Sequence, residues 1–124
     1  MAEIKADLTI RRPAEPLTFR DQAAVAARYL TVLGNAKRLL IAVHLIDGER
    51  TVGDIADLLG LSHSATCQHL SLLAEQGIIE CRAVGTWRYY ACKSEEAKEV
   101  IRLLDGLAGN QMLPEPPEGP RQRP

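Results

Sequence analysis

The sequence predicts a mostly helical α+β fold of five main helices and one two-stranded β-hairpin, with the hairpin placed between the fourth and fifth helices. Three observations predict it. Aliphatic residues recur at helical spacing in five stretches, each opened by a capping residue. Two β-prone runs, residues 78–82 and 87–92, flank the segment Ala83-Val84-Gly85-Thr86, which reads as a four-residue hairpin loop. Within residues 51–90 two short helices, a tight turn and that hairpin follow one another, which is the order of a winged helix-turn-helix.

Each element has a start and a stop. Thr18, with Asp21 three residues on, resembles a capping box and opens a first helix whose Ala26, Tyr29, Leu30 and Leu33 share one face, with Gly34 ending it. Asn35 caps a second helix through Ile46, carrying Leu39, Leu40, Val43 and Ile46, and the turn Asp47-Gly48 closes it. Thr51 with Asp54 starts a third, short helix with Ile55, Leu58 and Leu59 on its apolar face, stopped by Gly60. Ser62 caps a fourth helix that Gly77 ends. Ser94 caps a fifth, with Glu95 and Glu96 in its first turn, where the helix dipole favours carboxylates. Its apolar positions are Ala97, Val100, Ile101, Leu104, Leu107 and Ala108.

The 124 residues, 46% of them hydrophobic and 25% charged, suit one domain with one modest core. Aromatic residues make up only 4%, so aliphatic side chains supply most of the burial. The domain is expected over residues 18–110. Residues 1–17, with Pro13 and Pro16, read as a flexible arm, and residues 111–124, with five prolines, as a disordered tail. No leader-like segment opens the chain, and the longest apolar stretch, residues 39–46, is interrupted by His44 and too short to span a bilayer. An odd number of cysteines, Cys67, Cys81 and Cys92, lies scattered along the chain. Together these point to a cytoplasmic protein with reduced thiols and no membrane partner.

A net charge of −1 does not by itself indicate nucleic acid, so that reading rests on local charge and geometry. The fourth helix supplies the geometry. Thr66, Leu70 and Leu73 repeat at spacings of four and three and face inward, leaving His63, Ser64, Cys67, Gln68 and Ser71 outward. Small polar side chains near a helix start suit close approach to base edges in a major groove. Gln68 has the chemistry to pair with adenine, and Ser64, Thr66 or a first-turn amide to hold phosphate. A solvated helix face would look the same in isolation. Arg82 and Arg88, one on each strand of the hairpin, suit backbone or minor-groove contact, although single surface arginines are ordinary. The sequential order of helix pair and ribbon is what joins these features.

These segments resemble the ArsR/SmtB family of small winged-helix repressors. The resemblance lies in YLTVLGNAKRLLIAVHLIDG, in TVGDIADLLGLSHSATCQHLSLLAEQGII and in the hairpin ending WRYYAC, and it spans residues 22–107. LGLSHSATCQHLSLL is close to the family's recognition segment, and Arg38 stands where its second-helix arginine is expected. The resemblance implies a homodimer formed by the first and last helices, here through Tyr29, Leu30, Leu33, Val100, Leu104 and Leu107. It implies paired recognition helices on an imperfect palindrome of double-stranded DNA, repression, and in many members release by an inducer. It implies no catalysis. His69 matches a residue that supports the recognition helix, and both His63 and His69 read as DNA-proximal.

The family's known sensor patterns are not matched. The third helix has no cysteine, the last helix has Glu95, Glu96 and Glu99 but no histidine, and the second helix has no cysteine. No cofactor and no metal ligand set is therefore expected, and the inducer stays unknown. Cys92 reads as a core thiol. With Arg82 opposite Trp87, Cys81 would lie roughly 13 Å from Cys92, too far for a disulfide. Cys67 on the outward face either replaces a serine that touches DNA or acts as a thiol switch releasing DNA on oxidation or metal binding. A winged-helix module that binds protein instead of DNA is the alternative function. An enzyme is not indicated, since no nucleophile with base and orienter and no phosphate-cradling loop is present.

Overall fold

A computed structural model of the chain describes residues 19–117. They fall into two compact units, one ending at Thr31 and one beginning at Val32. The expected capping of the first helix by Thr18 and the arm over residues 1–17 lie outside the described residues. The elements run α1 (Phe19–Leu33), α2 (Ala36–Asp47), α3 (Val52–Leu59), α4 (His63–Glu75), β1 (Glu80–Val84), β2 (Trp87–Ala91) and α5 (Glu95–Gly109). This is the predicted α+β winged helix-turn-helix, five helices with one antiparallel hairpin. Helix α1 is broken at Gln22, whose backbone is not helical.

The caps form where the sequence places them. The Asn35 side chain accepts from the Arg38 amide, Ser62 from the Ala65 amide and Ser94 from the Ala97 amide. Thr51 and Asp54 make a reciprocal capping box at the start of α3. The core beyond Val32 is aliphatic: Ile41, Leu45, Ile55, Leu70, Leu73 and Ile78 are all fully buried.

The hairpin departs from the sequence reading. Strand β1 begins two residues later than expected, because Ile78 is used elsewhere. Gly77, at φ 72°, ends α4 in a Schellman motif: its amide donates to the Ala74 carbonyl and the Ile78 amide to that of Leu73. Ile78 thereby packs as the apolar residue that follows such a cap and cannot join the ladder. The register pairs Cys81 with Tyr90, Arg82 with Tyr89, Ala83 with Arg88 and Val84 with Trp87. The loop is therefore only Gly85-Thr86, with Gly85 at φ 61° in the first central position.

The register also changes the spacing of the thiols. Cys81 lies two residues, roughly 7 Å, along the ladder from Cys92 rather than roughly 13 Å, and both are free thiols, Cys81 exposed and Cys92 buried. Arg82 and Arg88 also project from opposite faces of the hairpin, since directly paired residues share a face and neighbours alternate.

Gln111, at φ 58°, and Met112 close α5 with bonds to the Ala108 and Leu107 carbonyls, a second Schellman motif. Leu113 then lines an apolar groove with Leu39, Leu40 and Val43 of α2 and Leu104 of α5. Residues 118–124 lie outside the described part.

Leu73 is fully enclosed where α4 meets the core. Leu73→Ala should lower stability by about 2–5 kcal/mol, read as a reduced denaturant midpoint with an unchanged slope.

Candidate nucleic-acid interface

Burial divides α4 into two faces. Thr66, Leu70 and Leu73 are buried, whereas His63, Ser64, Cys67, Gln68 and Ser71 are exposed. Ser64, Cys67, Gln68 and Ser71 line one continuous shallow surface. The first-turn amides of His63 and Ser64 lack intrahelical partners by construction, which adds positive character to this end. Thr66 does not belong to this outward set. It is 0% exposed, and its hydroxyl donates to the Ser62 carbonyl at 2.8 Å, so it secures the first turn and cannot reach a phosphate.

His69 sits at the border and faces α2. Arg38 donates from Nε to the Val32 carbonyl at 2.6 Å, and its Nη1 lies 3.3 Å from His69 Nδ1. Arginine has only donors, so this contact makes Nδ1 an acceptor and the imidazole neutral. Burial holds the His69 pKa below its ordinary value, with the charges of Arg38 and Lys37 adding to the effect. His69 therefore links α4 to α2 through Arg38.

The hairpin is tied to the connection between α2 and α3. Arg50 and Tyr90 exchange two backbone hydrogen bonds, of 3.0 and 2.9 Å, and the Cys92 amide donates to the Leu45 carbonyl at 3.1 Å. Arg82 forms a two-bond contact with Glu49, at 2.9 and 2.8 Å, and lies over the Tyr89 ring at 5.2 Å. The hydrogen bonds from Arg82 hold the Glu49 carboxyl below its usual range. Arg82 thus braces the hairpin, and Arg88 is the hairpin cation left towards α4.

Between the start of α3, the outer face of α4 and the hairpin runs an open groove of about 480 Å³. Its walls include Thr51, His63, Cys67, Thr86, Arg88 and Tyr90. Cys67 Sγ lies 3.7 Å from His63 Nδ1, one helical turn away. Burial pushes the Tyr90 phenol up, followed by the nearby thiols of Cys81 and Cys67, while Arg88 draws it down. Burial likewise raises the Cys92 thiol, which is 2% exposed and packs in the core. Trp87 is 61% exposed at the hairpin tip and also lines the groove.

Sequence reasoning missed Glu49, Tyr90, Trp87 and the His63–Cys67 pair. The i, i+4 spacing of His63 and Cys67 was readable, whereas Glu49 and Tyr90 depend on a hairpin register that no local pattern fixed. Of the residues expected at a dimer contact, Leu33 is only 4% exposed and belongs to the core. Leu30 is 62% exposed, and Val100, Leu104 and Leu107 are half-buried on α5.

A helix pair whose second member shows a small polar face, followed by a braced hairpin, defines a winged helix-turn-helix transcription regulator. Residues 35–80 match the sequence profile described as bacterial regulatory protein, arsR family. The chain belongs to the ArsR family, whose members are transcriptional regulators and not enzymes. It is 35% identical over 99 residues to nodulation protein NolR of Rhizobium meliloti, covering 80% of each chain. It is 36% identical over 85 residues to the transcriptional activator HlyU of Vibrio cholerae, covering 68% of this chain and 79% of HlyU. A homodimeric winged helix-turn-helix DNA-binding domain from Mycobacterium bovis superposes with a TM-score of 0.69 at 27% identity, covering 82% of this chain and 94% of that one.

Because His69 is neutral in the fold, its depressed pKa gives stability that is full above the unfolded value and lost as pH falls through the folded one. An NMR titration should place His69 below 6.5, and Arg38→Gln should move it upward.

Proposed function

We propose that the chain is a homodimeric, sequence-specific DNA-binding regulator of the bacterial cytoplasm that represses transcription from an imperfect palindrome. The observation that carries this is the exposed set His63, Ser64, Cys67, Gln68 and Ser71, standing opposite the buried Thr66, Leu70 and Leu73 on α4. Gln68 reads an adenine edge in the major groove, and Ser64 with the first-turn amides holds phosphate. Arg88 contacts the backbone from the wing, while Arg82 keeps the wing in place. Tyr29 and Leu30 of α1 with Val100, Leu104 and Leu107 of α5 form the contact between protomers. The two recognition helices then meet major grooves about one helical turn, roughly 34 Å, apart. Homodimerisation in the Mycobacterium bovis relative supports this arrangement.

Selection of bound duplexes from a random pool tests the proposal directly. Gln68→Ala should lose about 1–3 kcal/mol of discrimination at one base pair, whereas Arg88→Ala should weaken all duplexes alike and reduce the salt slope by about 1. Affinity that changes little between low and high salt would instead favour a protein-binding module, because phosphate neutralisation releases counterions and makes DNA binding steeply salt-dependent.

The inducer signal is proposed to enter at Cys67, the exposed thiol of the reading face. Cys67→Ser should bind the selected operator as the parent does and keep it bound in the presence of peroxide, polysulfide or a thiophilic metal. A mutant released by the same agent as the parent would remove Cys67 from the switch.

A further inference from the structure

The groove between α4 and the wing holds chemistry that base reading does not use. His63 and Cys67 both line it, with Cys67 Sγ 3.7 Å from His63 Nδ1. The opposite wall carries Arg88 and Tyr90, the latter paired across the hairpin with the second exposed thiol, Cys81. The groove opens at the start of α4, where the helix dipole presents partial positive charge, and at the start of α3, where the Asp54 carboxylate offsets it. Among the described residues, those lining it include no aspartate or glutamate. A reactive cysteine needs a proton acceptor within hydrogen-bond reach, a positive surrounding and open access. Cys67 has His63 within reach, Arg88 lining the same groove, and open access.

Cys81 and Cys92 supply internal comparisons. Cys81 is exposed but sits on a strand, where its cross-strand neighbour is a phenol rather than an imidazole. Cys92 is buried. Among the described residues no three His, Cys, Asp or Glu side chains converge as a metal site. His63 and Cys67 alone are two donors short of a tetrahedral set, which favours covalent modification over metal capture.

We propose that this groove is a hydroperoxide-reactive site in which His63 is the base for Cys67. The thiol proton passes to His63 Nδ1 as sulfur attacks one peroxide oxygen. An S–O bond forms and the O–O bond breaks. The departing hydroxide takes the proton from His63 and leaves as water, so that Cys67 is oxidised to a sulfenic acid and hydrogen peroxide is reduced to water. Arg88 on the facing wall steadies the negative charge that develops on the departing oxygen. The added oxygen projects from the reading face beside Ser64, Gln68 and Ser71, which couples the reaction to operator release. That last step rests on the DNA-reading role proposed above, whereas the chemistry does not.

The test uses the full chain without DNA. Hydrogen peroxide is added with dimedone to trap sulfenic acid, and peptide mass spectrometry follows Cys67 and Cys81 separately. Cys67 should react about ten-fold faster than Cys81, within the range that thiol activation allows. His63→Gln should bring the two rates together by slowing Cys67 while leaving Cys81 unchanged. Equal rates in the parent protein, or a Cys67 rate indifferent to His63→Gln, would overturn the proposal. Cys81→Ser should leave the Cys67 rate as it is, and a loss of Cys67 labelling in that variant would make Cys81 the reactive group instead. An operator-affinity measurement after oxidation is made separately. Oxidation at Cys67 without loss of affinity would refute the coupling to release and leave the site chemistry standing.

Discussion

Two backbone hydrogen bonds between Arg50 and Tyr90 decide how the wing stands against the helical core. A hairpin of two five-residue strands is marginal on its own in water. The reciprocal pair adds a short third strand segment from the connection between α2 and α3, and the Cys92 amide continues the attachment to Leu45. The side chains then follow. Once Tyr90 is fixed, alternation along β2 sends Arg88 to the same face and Tyr89 to the other, where Arg82 and Glu49 meet it. The groove, its cation and its brace are consequences of one backbone pairing.

Helix α4 is fixed by a second, independent set of contacts. Leu70, Leu73 and Thr66 bury one side of α4, and Arg38 meets it from α2 through His69. The outward residues carry no packing duty, so their identity is free to serve recognition and reactivity. The same freedom explains how a cysteine and a histidine one turn apart are accommodated there without disturbing the fold. A substitution on this face leaves the packing of α4 intact, whereas one on the inner face changes whether the helix is there.

Much of this was legible in the sequence because the signals are local. Thr51 with Asp54, Ser62, Ser94 and the glycines after α3 and α4 mark element ends through contacts within four residues. The polar face of α4 followed from its period. The hairpin register was not legible, because Ile78 and Ile79 look like strand residues to any local rule, although Gly77 turns Ile78 into the end of a helix cap. That shift moved every cross-strand pair and brought Cys81 opposite Tyr90. Thr66 was read as both inward and phosphate-binding, and its complete burial leaves only the inward role.

The two-residue turn at Gly85-Thr86 limits how such a protein can diversify. With the strands paired up to Val84 and Trp87, the ribbon contains no slack to absorb an inserted residue. A single insertion in one strand would exchange the two faces beyond it and carry Arg88 away from the recognition helix. Lengthening the strands with both faces kept therefore takes matched pairs of residues, whereas additions at the turn only enlarge the loop. Side chains on such a ribbon can be exchanged one at a time without disturbing its register, so its surface chemistry is easier to change than its strand length.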